Sequence, residues 1–192
     1  MPDKESVRDL TDSRMLAAMS HLVRRRLLDA LAVDGPSTVS MLAARTGEAV
    51  GNVSHHMKVL AEARLVEEAH DLARDRRERW WRASSPGWRW STSTFKSDPV
   101  AAVVADAANS LNFEHQISKV RAWNARSDTA DPAWVDAAFS TDYWLVLSPA
   151  ELAELSATVK DLLGKWHDRE IPDDGQQREP VFVFARGMPA TP

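Results

Sequence analysis

The chain has 192 residues, 44% of them apolar and 27% charged, with a formal net charge of −4; that is enough to bury a real core and far from the polar bias of disorder. It contains no cysteine, which excludes a disulfide framework, a cysteine zinc site and thiol catalysis. The opening residues 1–6 lack a charged region followed by an apolar core, and no apolar run nears the ~18 residues that span a bilayer, so the expectation is a cytoplasmic protein with no membrane partner.

The charge is uneven. Residues 1–96 carry 16 Lys and Arg against 13 Asp and Glu, a balance of +3, whereas residues 97–192 carry 8 against 15, a balance of −7. Such asymmetry is expected when one segment alone meets a polyanion.

In chain order, residues 7–20 place Val7, Leu10, Met15, Leu16 and Met19 at helix-like spacing, and residues 22–31 repeat the pattern with Val23, Leu27, Leu28 and Leu31. Asp34-Gly35-Pro36 stops the second helix, because Gly tolerates the left-handed ending and Pro cannot continue. A third helix is expected after the N-cap Thr38, closed by Thr46-Gly47. A fourth, over residues 50–63, buries Val53, Met57 and Leu60 and leaves Asn52, His55, His56 and Lys58 pointing at least partly elsewhere.

Residues 65–70 and 78–83 read as two strands joined by a tip that carries Arg74, Arg76 and Arg77. Ser84-Ser85-Pro86-Gly87 is the clearest linker, and the domain boundary is expected just beyond it: an N-terminal domain over 1–96, then a second over 97–192. The second domain is read as α/β. It opens with a long helix from Asp98-Pro99 to about Arg126, long enough to serve as a dimer rod, with Val100, Val104, Ala107 and Leu111 on one stripe. Two short apolar runs, 143–147 and 181–184, suit strands. Between them Ser148-Pro149-Ala150-Glu151 starts a helix with a hydroxyl at the cap, Pro at the first position and Glu at the third. Its seam of Leu152, Leu155, Val159, Leu162 and Trp166 must be covered as core or as a dimer contact.

Helix, helix, tight turn, helix and basic hairpin is the order of a winged helix-turn-helix, so the fold class is mainly α with small β. The second helix of the turn pair fits a major groove ~12 Å wide, and the hairpin reaches the phosphates beside it. The segments Met19-Ser20-His21-Leu22-Val23-Arg24-Arg25-Arg26-Leu27-Leu28 and Asn52-Val53-Ser54-His55-His56-Met57-Lys58-Val59-Leu60 resemble the ArsR/SmtB family of bacterial repressors, with the match spanning about residues 14–82. The resemblance implies a homodimeric transcriptional regulator that binds double-stranded DNA at an inverted repeat.

Carried over by position, the resemblance puts Val50, Gly51, Asn52, His55 and His56 where the family reads bases or adjacent phosphates, and Lys58 on the backbone. Asn52 has the geometry for paired hydrogen bonds to adenine, and Gly51 allows close approach. Arg74, Arg76 and Arg77 are candidates for phosphate or minor-groove contacts. The family's metal-sensing cysteines are replaced by Thr38 and Ser40, and residues 98–126 offer only Asp106, Glu114 and His115. Metal sensing is disfavoured and no cofactor is expected.

Adjacent side chains in a helix diverge by about 100°, so His55-His56 is not read as a metal pair. Trp80, Trp81, Trp88 and Trp90 are read as packing of the wing against the C-terminal domain before an aromatic effector pocket. The sequence shows no phosphate-cradling loop, nucleophile elbow or metal triad, and no enzyme is expected. A small organic effector, or a protein, acting through residues 97–192 is expected to alter the spacing of the recognition helices. The alternative is a winged helix that docks protein or RNA without an operator.

Overall fold

The computed structural model describes residues 7–73 and 79–191. The chain divides into two compact units between Ser118 and Lys119.

In the first unit a short strand comes first. β1 (Arg8–Asp9) pairs in parallel with β5 (Trp88–Arg89), and Arg89 Nη2 donates to Asp9 Oδ2 at 2.8 Å. The helix expected over 7–20 therefore begins only at Ser13, as α1 (Ser13–Met19). Asp12 marks the start because its carboxylate accepts the Arg14 backbone N–H at 2.8 Å.

α2 (Leu22–Asp34) follows His21, whose ring nitrogen Nδ1 accepts the Val23 N–H at 3.2 Å and caps the helix. Gly35 ends it at φ 75°, donating to the Leu31 carbonyl. β2 (Ser37–Thr38) leads into α3 (Val39–Thr46), which is capped by the Thr38 hydroxyl and closed by Gly47 at φ 71° in the left-handed region. α4 (Val50–Glu62) comes next, then β3 (Val66–Glu68) and β4 (Trp80–Ala83). These three strands form a sheet in the order β2-β4-β3, antiparallel throughout, with Glu67 opposite Arg82 and Thr38 opposite Trp80. The sheet fastens the hairpin to the segment that opens α3.

The core packs Leu16, Leu27, Leu42, Val53, Met57, Leu60 and Leu65, all with at most 1% of their surface exposed. Fully burying such side chains stabilises by about 1.5–3 kcal/mol each before entropy. Trp81 belongs to this core, and Trp88 and Trp90 pack against it together with Ala101, Ala105 and Ala108 of α5 (Pro99–Asn124). Of the four tryptophans read from the sequence, three join or border this core, which also takes in the first half of α5.

The buried stripe of α5 differs from the one read in the sequence. Ala101, Ala105, Ala108 and His115 face inward, while Val100 and Val103 are exposed. Alanines let the helix backbone approach the core closely, which bulkier valines on that face would prevent. His115 Nε2 lies 3.0 Å from Asp29 Oδ2 of α2. The first half of α5, placed beyond the boundary near residue 96 by composition, packs with the winged domain.

The second unit contains α6 (Pro132–Ala137), started by Asp131, and α7 (Pro149–Asp168). α7 begins as expected. The Ser148 hydroxyl accepts from the Glu151 N–H at 3.3 Å and the Glu151 carboxylate accepts from the Ser148 N–H at 2.7 Å, the reciprocal cap that holds orphan donors at a helix start. The runs 143–147 and 181–184 are a correction: neither is a strand. A strand needs a partner for its ladder, and among the described residues neither run is paired in a sheet. Among the described residues no helix is long and apolar enough to cross a membrane.

Candidate nucleic-acid interface

α3 and α4 are joined by Gly47, Glu48 and Ala49 alone. The left-handed Gly47 turns the chain, and its N–H closes α3 on the Ala43 carbonyl at 2.9 Å. α4 then buries Val53, His56, Met57 and Leu60. The opposite flank is open: Val50, Gly51, Asn52, Ser54, His55 and Lys58 are all exposed. Spacings of three and four residues separate the two faces cleanly.

His56 is the exception among the expected contacts. It turns inward, 7% exposed, with its ring centroid 4.6 Å from that of His21. Burial lowers the pKa of both rings below the ordinary histidine value, with further lowering of His56 from His21, Arg24 and His55, and Glu48 opposing. Both are therefore neutral at pH 7. His55 projects from the exposed flank, with its ring edge-on to His56 at 5.4 Å.

The helix start carries a network that spacing alone does not reveal. Glu48 accepts from Asn52 Nδ2 at 2.8 Å through one oxygen and from Arg26 Nη1 at 3.2 Å through the other. Arg26 also donates from Nη2 to the Thr46 carbonyl at the end of α3. One arginine of α2 thus ties the end of α3 to the turn, and the turn orients Asn52. The only sequence signal was Glu at four residues before Asn, which places both on one side of a helix start. Arg24 acts similarly nearby, donating to the Ala17 carbonyl at 3.0 Å and to the Ala18 carbonyl to finish α1.

Ala49 gives α4 no side-chain cap, so its first backbone N–H groups stay available to an anion in front of the helix. At the other end, Arg64 has φ 56°. Its N–H donates to the Ala61 carbonyl at 2.9 Å and the Leu65 N–H to the Leu60 carbonyl at 2.9 Å, the paired bonds of a Schellman ending in which glycine is usual. Lys58 stands 4.0 Å from Glu62 one turn on.

On the wing, Arg82 pairs with Glu67 at 2.9 Å and with Asp71 at 3.3 Å, and Arg79 lies 3.7 Å from Glu68. Those cations are partly neutralised by their own hairpin. The expected tip residues Arg74, Arg76 and Arg77 lie outside the described residues. Among the described residues, no three His, Cys, Asp or Glu side chains are grouped to hold a metal ion.

A helical turn pair with a free-faced second helix and a sheet hairpin beside it is the arrangement of a winged helix-turn-helix. Residues 19–69 match the family model described as a helix-turn-helix domain, inside the window where the sequence carried the resemblance. No curated protein matches the chain. Two solved structures from Mycobacterium bovis are similar to it. One is a crystal structure of a possible transcriptional regulatory protein (fragment 1–100), 25% identical, covering 48% of this chain and 88% of that one with a TM-score of 0.33. The other is the solution structure of a homodimeric winged helix-turn-helix DNA-binding domain (fragment 1–100), a possible ArsR-family transcriptional regulator, 24% identical, covering 48% and 76% with a TM-score of 0.32.

Proposed function

We propose that this chain is a sequence-specific transcriptional regulator that binds an inverted-repeat operator as a homodimer, one recognition helix per half-site, and represses by occluding the promoter. The single observation that carries the reading is the exposed polar flank of α4, from Val50 to Lys58, standing on a fully buried stripe of the same helix.

In this reading Asn52 and His55 meet base edges, and Gly51 and Val50 approach the groove floor. Lys58 and the uncapped start of α4 hold phosphates. Glu48 accepts one Asn52 amide hydrogen, which leaves the second hydrogen and the carbonyl oxygen for the edge of an adenine. His56 is assigned no DNA contact, because it lies on the buried face of α4. Arg74, Arg76 and Arg77 are proposed to reach phosphates or the minor groove from the wing. A cytoplasmic location follows from that role, and a small organic effector acting through the second unit would shift the spacing of the two recognition helices.

The test is DNA binding by purified protein across a salt series, with fragments of the source genome as ligands. Each phosphate contact contributes about 0.9 to the slope of log K against log salt. Asn52→Ala should cut operator affinity about tenfold and relax base preference, whereas Arg76→Ala should weaken all sequences alike and lower the slope by about one. A slope near zero removes the DNA reading and leaves the docking module.

A further inference from the structure

We propose that DNA binding by this chain is coupled to release of a proton, with His21 and His56 as positioning residues that hold α4 in its DNA-reading place while both rings are neutral. The inference rests on the DNA-binding reading above and adds a control on it that acidification exerts.

The two rings come from different elements and meet on the inner side of α4. His21 stands at the junction of α1 and α2, where its Nδ1 accepts the Val23 N–H at 3.2 Å and caps α2. A ring nitrogen that accepts a hydrogen bond carries no proton, so this cap exists in the neutral ring and is lost in the charged one. His56 lies on the buried face of α4, 7% exposed, with its ring centroid 4.6 Å from that of His21. Its Nδ1 is buried and has no hydrogen-bond partner among the described residues. An imidazolium carries an N–H on both nitrogens, so a charged His56 leaves a donor sealed from water and unpaired.

The groups that face the pair offer an added charge little compensation. Arg24 of α2 acts on both rings as a like charge and is held in place by the Ala17 carbonyl at 3.0 Å. His55 adds a third imidazole, with its centroid 5.4 Å from that of His56. Glu48, the carboxylate that opposes these cations, is already shared between Arg26 Nη1 at 3.2 Å and Asn52 Nδ2 at 2.8 Å. Protonation is therefore relieved by parting α4 from the start of α2. That motion displaces the exposed flank from Val50 to Lys58 and loosens the Arg26, Glu48 and Asn52 contacts, which bridge the same two helices. DNA seated on the flank selects the packed, neutral form, so by linkage acid weakens binding. The sign is diagnostic. Phosphates draw protons onto histidines that face them, so a direct contact by the exposed His55 alone makes binding tighter as pH falls.

The experiment titrates labelled DNA, selected from the source genome at pH 7.5, with the full chain at constant salt from pH 7.5 to pH 5.0. Circular dichroism at each pH follows the helicity. Affinity should fall by roughly fivefold or more across that range while the chain stays folded. His21→Asn keeps a capping side chain without a titrating ring, and His56→Gln removes the other ring. Each variant, read against its own value at pH 7.5, should lose at least half of the logarithmic fall. In the free wild-type protein the Val23 amide resonance should shift with the same midpoint as the His21 ring. Affinity that is flat or rises toward acid overturns the coupling and leaves the DNA reading standing. So does a fall that tracks lost helicity, a fall that persists in full in both variants, or a Val23 amide that ignores the titration of His21. Absence of binding to every fragment at pH 7.5 overturns the DNA reading and the coupling with it.

Discussion

Asn52 donates its side-chain amide to Glu48 across one helical turn at 2.8 Å, and the same carboxylate is held from behind by Arg26 of α2 at 3.2 Å. The residue proposed to read a base is thereby held in one orientation in the free protein. In the proposed reading an acidic group this close to the phosphates repels them, and its presence is expected to lower affinity for all DNA while sharpening the choice among sequences.

Removing it should separate those two effects. Glu48→Ala is expected to tighten binding to random DNA several-fold and to lower the ratio of specific to non-specific affinity about tenfold, measured by competition titrations at fixed salt. An unchanged ratio would mean that Glu48 does not orient Asn52.

The two ends of α4 both carry residues that leave helix stability unused. Ala49 sits at the N-cap without a capping bond and is exposed, so Ala49→Ser should stabilise the protein by about 0.5–2 kcal/mol. Its hydroxyl would compete with DNA phosphate for the same N–H groups, and operator affinity should fall slightly as the melting temperature rises.

Arg64 occupies the left-handed region at φ 56°, where a side chain costs about 1–2 kcal/mol relative to glycine. Arg64→Gly should therefore raise stability by roughly 0.5–1 kcal/mol in urea unfolding, after the entropy glycine gains in the unfolded chain is subtracted. Ser84, whose hydroxyl donates to the Arg64 carbonyl at 2.8 Å, keeps its bond in the variant. A loss of stability would show that the arginine side chain contributes something beyond the turn.

The imidazole pair His21 and His56 predicts a pH dependence. Both pKa values are lowered in the folded state, chiefly by burial, from an ordinary value of 6.5. The unfolded chain then binds more protons than the folded one below that value, so stability is fully present above about pH 6.5 and is lost as pH falls toward and through the folded values. Urea midpoints measured from pH 8 to pH 5 should decline over that window. His56→Gln should flatten the decline, because the ring packed beneath α4 no longer charges beside Arg24 and His21.

Much of the winged domain was legible because its signals are local. Thr38, Gly47 and the stripe of Val53, Met57 and Leu60 fix a cap, a turn and a buried face within a few residues each, and all three appear as read. The capping box of α7 was equally plain. Spacing could not resolve His56, since neighbouring helical positions differ by about 100° and the boundary between faces is decided by what lies opposite. Opposite lay His21, thirty-five positions earlier in the chain and already bent inward by capping α2.

The sequence by itself determined α2, α3, α4, α5 and α7, the caps at Thr38, Asp98 and Ser148, the turn between α3 and α4 and the free flank of α4, because backbone satisfaction and amphipathic period are properties of short segments. Only the tertiary structure decided that alanines rather than valines of α5 face the winged core, that Arg26 and Glu48 brace Asn52, and that the runs 143–147 and 181–184 are not strands. Close approach, long-range ion pairing and ladder formation all depend on a distant neighbour, and a period read along one strand of sequence does not say which neighbour is present.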